Sequence, residues 1–130
     1  MASSKKKRKG HYKTGLHVSP KAGDCNYRSG WEKSYCEHLD ADPTVKTYAY
    51  EGIVVAYINN IRSGKLRKYF PDFLVEYTDG RKILVEIKPK KRVDQLQVQK
   101  KLRAAEQWCL DHGATLEVVT EVELKLLGLL

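Results

Sequence analysis

Asp72, Glu86 and Lys88 are the residues of this sequence whose types and spacing could do chemistry. They stand in YFPDFLVEYTDGRKILVEIKPKK, residues 69–91, inside two runs dense in Phe, Val, Ile and Leu. Charge in such runs is costly unless it is paired or used. Two carboxylates held close together repel each other and are driven toward protonation unless a cation lies between them. Two carboxylates, a backbone carbonyl and water make an oxygen-only site, which suits Mg²⁺ or Mn²⁺. A lysine facing the same way can position a water or stabilise a pentavalent phosphate. The chemistry that this set describes is metal-assisted phosphodiester hydrolysis.

That chemistry needs both carboxylates on one face, and strand register decides whether they share it. Side chains alternate along a strand, so Glu86 and Lys88 share a face with Leu84 and Lys82, while Ile83, Val85 and Ile87 form a wholly apolar face. On the partner run Asp72, Leu74 and Glu76 share one face, and Phe73, Val75 and Tyr77 the other. A two-residue Asp79-Gly80 turn would pair Asp72 with Ile87 and put the carboxylates on opposite faces. A three-residue Thr78-Asp79-Gly80 loop, with Gly80 left-handed as a bulge, pairs Tyr77 with Arg81 and sets Asp72 opposite Glu86. Only the second register aligns the two apolar triplets, so it is the expected one. The hairpin then has one apolar side and one charged side, with Glu76 opposite Lys82.

The elements around this hairpin follow from periodicity. Trp31, Tyr35 and Leu39 recur at four-residue steps and predict a short amphipathic helix, capped by Ser29 with Glu32 three residues later and stopped near Pro43. VKTYAYEGIVVAYINN predicts two strand segments broken near Gly52, and LRKYFPDFLVEY predicts one strand after the IRSGK turn. Val98, Leu102, Ala105 and Cys109 place a helix over residues 94–112, ended by Gly113. TLEVV is a last strand, and Thr120 with Glu123 opens a short final helix by a capping box. The order is helix, antiparallel strands, helix, strand, helix: α/β with a mixed sheet.

Composition bounds the remaining choices. A chain of 130 residues is one domain. No apolar run approaches the ~20 residues that span a bilayer, and no signal-peptide core opens the sequence, so a non-membrane, cytoplasmic protein is expected. Cys25, Cys36 and Cys109 form no CxxC pair and fit a reducing compartment; with His38 and His112 their spacings match no common zinc pattern. Both histidines are expected at the surface or at helix ends, and Trp31 and Trp108 in the core. The net charge is +8, of which residues 1–33 supply +7 through nine Lys/Arg against Asp24 and Glu32. Residues 1–27 lack hydrophobic periodicity and predict a flexible basic arm, with the folded domain over 28–130. Lys5, Lys6, Lys7, Arg8 and Lys9 in that arm, and Lys90, Lys91 and Arg92 after the second strand, are the candidate nucleic-acid contacts. The first cluster also has the composition of a nuclear import signal. The tail LKLLGLL could pack internally or serve as a homodimer contact.

Pro71-Asp72 followed by Glu86-Ile87-Lys88 resembles the signature of the PD-(D/E)XK nuclease superfamily. Residues 29 to about 124 are similar to the catalytic domain of TnsA-type endonucleases, through SGWEKSYCEHLDADPTV, RKYFPDFLVEYTDG, LVEIKPKK and AAEQWCLDHGATLEVVTEVEL. The resemblance implies a restriction-endonuclease-like αβββαβ core, with a central mixed sheet flanked by helices. It also implies that Asp72 and Glu86 bind Mg²⁺, for which Mn²⁺ can substitute, with the Ile87 carbonyl as a third ligand. Lys88 would orient or activate the attacking water, and Glu32 would complete the site through a second metal or a bound water. The TnsA enzymes carry Gln at the position of Glu86, so this site follows the wider superfamily. They also continue into a C-terminal domain that contacts transposition partners, which this sequence does not show; the expectation is a stand-alone phage or mobile-element DNA endonuclease, with no small-molecule cofactor. The alternatives are a non-catalytic basic DNA-binding module and a phage assembly protein on the same fold.

Overall fold

The structure is a computed structural model that describes residues 13–130; the cluster Lys5–Lys9 lies outside the described residues. Residues 15–27, expected within a flexible arm, instead form a hairpin of β1 (Gly15–Ser19) and β2 (Gly23–Tyr27), so the folded unit begins before residue 28. Only Ser19 and Cys25 of these strands are buried, which is why no apolar alternation marks them. Polar contacts dock the hairpin on helix α1 (Gly30–Ala41). Asp40 accepts from Ser19 Oγ at 2.6 Å and Tyr48 Oη at 3.0 Å and pairs with His17 Nε2 at 2.6 Å. Lys21 Nζ donates to the carbonyls of Leu39 and Asp42 at the α1 C-terminus, where a cation is favoured.

Strands β3 (Val45–Tyr50), β6 (Phe73–Tyr77), β7 (Lys82–Ile87) and β8 (Thr115–Val119) form the central sheet in the order β3-β6-β7-β8. The first three are antiparallel, and β8 runs parallel to β7. Between β7 and β8 lie the single turn α2 (Lys90–Val93) and helix α3 (Leu96–His112), the crossover that a parallel pair requires. Gly113 ends α3 at φ 67°, and α4 (Glu121–Leu126) opens with the Thr120–Glu123 capping box. Leu124 and Leu129 of the apolar tail pack inward, while Leu126, Leu127 and Leu130 stay exposed. This is the expected mixed α/β arrangement.

LRKYFPDFLVEY is two strands rather than one. β5 (Lys65–Tyr69) stops at Phe70-Pro71, where proline removes a ladder donor, and pairs with β4 (Val55–Asn60) in a separate two-stranded ribbon. The ribbon and α3 cover the sheet face expected to be the charged one. Leu84 on that face is fully buried among Val55, Tyr57, Tyr69, Ala105 and Cys109. The opposite face packs Phe73, Val75, Val85 and Ile87 against Tyr35, Cys36 and Leu39 of α1. Each large apolar side chain fully buried in these layers contributes about 1.5–3 kcal/mol.

Candidate active site

The register of the β6–β7 hairpin places the acidic pair. Val75 lies opposite Ile83, Phe73 opposite Val85 and Glu76 opposite Lys82; Asp72 and Glu86 are the residues next to the Phe73–Val85 pair on the two chain segments. The loop is Thr78-Asp79-Gly80: Tyr77 N–H donates to the Arg81 carbonyl at 2.9 Å, Gly80 N–H donates to Tyr77, and Gly80 has φ 93°. This is the left-handed bulge that the apolar pattern demands.

Asp72 is held from several sides. Pro71 before it is fully buried, and the Phe73 ring after it lies 5.3–5.8 Å from the rings of Tyr35, Tyr48 and Tyr50. Its carbonyl accepts from Glu51 N–H at 2.8 Å, and its Oδ2 accepts from Ile87 N–H at 2.7 Å. Glu86 receives the Tyr69 hydroxyl on Oε1 at 2.7 Å and faces Lys88 Nζ from Oε2 at 3.5 Å. Lys88 is anchored by its own N–H on the Val119 carbonyl of β8.

Asp72 is 8% exposed and Glu86 5%. Burial first, then Glu86 and Glu32, push the Asp72 carboxyl well above the usual carboxylate range, against the Ile87 N–H and Lys88. Burial also raises Glu86, while the Tyr69 hydroxyl and the Lys88 ammonium pull it back. The field has a counterpart in Tyr69, whose hydroxyl is pushed up by burial and by the Glu86 charge.

The expected residues therefore converge unevenly. Asp72, Glu86 and Lys88 meet at the ends of β6 and β7. Glu32, on the first turn of α1, lies close enough to raise Asp72 but points its Oε1 at Arg28 N–H, 2.9 Å, and Tyr50 Oη, 2.5 Å. Its capping box is half formed: Ser29 Oγ takes the Glu32 N–H, while the Glu32 carboxylate caps Arg28 rather than Ser29. Lys90, Lys91 and Arg92 form exposed α2 just after Lys88, with Lys90 N–H donating to Glu121.

Three contributors escaped the sequence reading. Tyr69 comes from the ribbon. Arg28 and Glu51 pair at 2.9 Å beside Glu32. Burial raises Glu51, as do Glu32 and Glu86, against the pull of Arg28. Glu51 also has φ 51°, a left-handed conformation that non-glycine residues seldom adopt. The EG pair at residues 51–52 was the one available signal, and it marked a strand break without indicating which way the carboxylate would face.

The TnsA-like endonuclease N-terminal family matches residues 42–121, more than half of the chain. The chain belongs to that family. The match spans Asp72, Glu86 and Lys88 and starts after Glu32. The head completion nuclease of Enterobacteria phage T4 is 38% identical over 78 residues, 58% of this chain and 51% of the relative. The chain thus spans about half the length of the curated relative it matches.

In this TnsA-like domain the donor set suits a hard divalent cation. The two carboxylates supply oxygen only, and their mutual repulsion is the kind that a bound cation relieves. Among the described residues, no group of three or more His, Cys, Asp or Glu side chains is gathered as a ready-made metal cage. Cys25, Cys36 and Cys109 are free and buried. Burial drives the Cys36 thiol up to about 12 and raises the other two, the reverse of what a thiolate ligand needs.

Proposed function

We propose that this chain is a divalent-metal-dependent DNA endonuclease of the phage or mobile-element type. The observation that carries the reading is the pair of buried carboxylates, Asp72 and Glu86, gathered where Ile87 N–H meets Asp72 Oδ2 at 2.7 Å, with Lys88 Nζ 3.5 Å from Glu86. Family membership supports it, as does the T4 relative, whose name joins head completion to nuclease activity. Such a protein would work in the interior of the host cell.

Asp72 and Glu86 would hold Mg²⁺ or Mn²⁺, with the Ile87 carbonyl as the third protein ligand. When bound, the ion supplies neutralisation of the charge that develops on the phosphate and a lowered pKa for water. The rest falls to the chain. Ile87 N–H fixes the Asp72 carboxylate and the Tyr69 hydroxyl fixes Glu86, so neither needs to reorganise as the phosphate arrives. Lys88 holds the water or a phosphate oxygen from a position set by its backbone bond to β8. Glu32 orders water at the edge of the site. Lys90, Lys91 and Arg92 continue from the active strand and grip backbone phosphates, with Lys5–Lys9 adding a sequence-independent hold.

The test is cleavage of end-labelled supercoiled plasmid, linear duplex, single strand and four-way junction with Mg²⁺, Mn²⁺ or EDTA. Glu86→Ala runs beside the wild type. Metal-dependent cutting that the variant loses is the expected result. Binding without cutting in every metal would overturn it in favour of a non-catalytic DNA-binding or assembly protein on this fold.

A further inference from the structure

The β4–β5 ribbon is not used by the site beyond Tyr69, yet it is a second stretch, after residues 1–23, that is basic throughout. Residues 52–71 contain Arg62, Lys65, Arg67 and Lys68 and no acidic residue. Among the described residues the ribbon joins no other strand. It rests on α3 through Val55, Tyr57 and Tyr69, and through Lys100 Nζ, which donates to the Asn59 carbonyl at 2.6 Å. Beyond that footing residues 60–68 are all exposed. Ile61 in the turn is 91% exposed, and Ile58 and Leu66, paired across the ribbon, are 48% and 64% exposed. Arg62, Gln97 and Lys100 help to line a cleft of about 510 Å³ where the ribbon end meets the first turn of α3, and no acidic residue lines it.

We propose that the β4–β5 ribbon is a duplex-gripping arm, with Lys65, Lys68 and its two arginines on phosphates and Ile61 set as an apolar wedge against the bases. The proposal deepens the nuclease reading and rests on it for the identity of the polyanion. A two-stranded ribbon can enter a groove of duplex DNA, and from the minor groove an exposed aliphatic side chain can wedge between bases and unstack a step. The competing occupant of an exposed apolar strip is a second copy of the chain. An isologous contact would set the four cations of one ribbon against the same four of the other, with no carboxylate in either to pair them. Charge therefore selects a polyanion. Tyr69 fixes the ribbon's base to Glu86, and strand rise gives the arm a reach of roughly 15–20 Å from there, or about five base pairs of duplex.

The test uses the full chain and a 30-base-pair duplex in EDTA, so that binding is read without cutting, with 2-aminopurine placed at successive steps. Lys65→Ala with Lys68→Ala should lower the salt slope of binding by about 1.8 and weaken affinity roughly 50-fold near 0.1 M salt. Ile61→Ser should abolish a 2-aminopurine signal found about five base pairs from the cut, with little change in the salt slope. Unchanged slope, affinity and fluorescence in both variants would overturn the proposal. So would loss of self-association with DNA binding intact, which would make the strip a contact between copies. Ribbon-dependent binding by a wild type that cuts under no metal would leave the arm standing and remove the nuclease reading. Cutting that ignores the ribbon would do the reverse.

Discussion

Removing a charge from the site should make the metal-free protein more stable. Asp72→Asn keeps a carbonyl oxygen to accept the Ile87 N–H, now bound at 2.7 Å, and deletes a carboxylate that is 8% exposed. Asp72 and Glu86 adjoin the Phe73–Val85 pair, and a separation of about 5 Å, typical of cross-strand neighbours, is the working distance between them. Two unit charges at that distance repel by about 3 kcal/mol at an effective dielectric of 20. Lys88, 3.5 Å from Glu86, offsets part of this. The net gain at neutral pH is about 1–2 kcal/mol, which for a domain of this length raises Tm by about 4–8 °C.

The pH dependence follows from the direction of the shifts. Both carboxyls bind their protons more tightly folded than unfolded, where their values are 3.8 and 4.5. Their contribution is therefore complete below the unfolded values and is lost as pH rises through the folded ones. Asp40, Asp42, Glu121 and Glu123 are shifted down and act in the opposite sense, losing stability as pH falls. The difference between variant and wild type isolates Asp72. Urea or thermal unfolding in EDTA from about pH 4.5 to 8 should show a difference that grows with pH. Mg²⁺ should then raise the wild-type midpoint and leave the variant unmoved. A variant that is less stable at every pH, or a difference independent of pH, would refute the claim that the two carboxylates are folded against their own repulsion.

Three further substitutions probe other parts of the structure. Tyr69→Phe removes a hydroxyl that lowers Glu86, so the acid limb of the cleavage profile should move to higher pH, with cutting near neutral pH down about tenfold. Gly80→Ala forces a side chain into φ 93° and should cost about 1–2 kcal/mol in urea unfolding while metal dependence is retained. Asp40→Ala leaves Ser19, Tyr48 and His17 without their shared acceptor and should cost about 2–4 kcal/mol. Earlier proteolysis within residues 15–27 should accompany that loss.

What was legible in the sequence was what period and turn chemistry encode. Two apolar triplets and one glycine sufficed for the β6–β7 register, because a slip of one residue would have turned Val75 or Val85 to the wrong face. The α3 stripe was equally plain at Val98, Ala105 and Cys109, although Leu102 is only partly buried. The β1–β2 hairpin was invisible because Asp40 and Lys21 hold it by hydrogen bonds, which leave no periodicity. The break between β5 and β6 was hidden by continuous strand propensity, although Pro71 marked it. Tyr69, Arg28 and Glu51 reach the site across elements, and no spacing along the chain carries that information. Glu32 was named through resemblance, while the residues that its carboxylate meets, Tyr50 and Arg28, were not.

Covering the second face of the sheet ties these observations together. A carboxylate pair open to water would be screened and little perturbed; beneath the ribbon and α3, burial raises both carboxyls, and the charges of Glu86 and Glu32 raise Asp72 further. At lower pH protons relieve the repulsion, and a divalent cation must compete with them for the same oxygens. Folding stability without metal and cutting with metal should therefore run in opposite directions as pH rises through the folded values, the first falling and the second climbing. Measuring both in the same buffers separates protonation of the site from loss of the fold. If activity and stability declined together toward low pH, acid unfolding would account for the lost cutting, and the buried pair would not be what titrates.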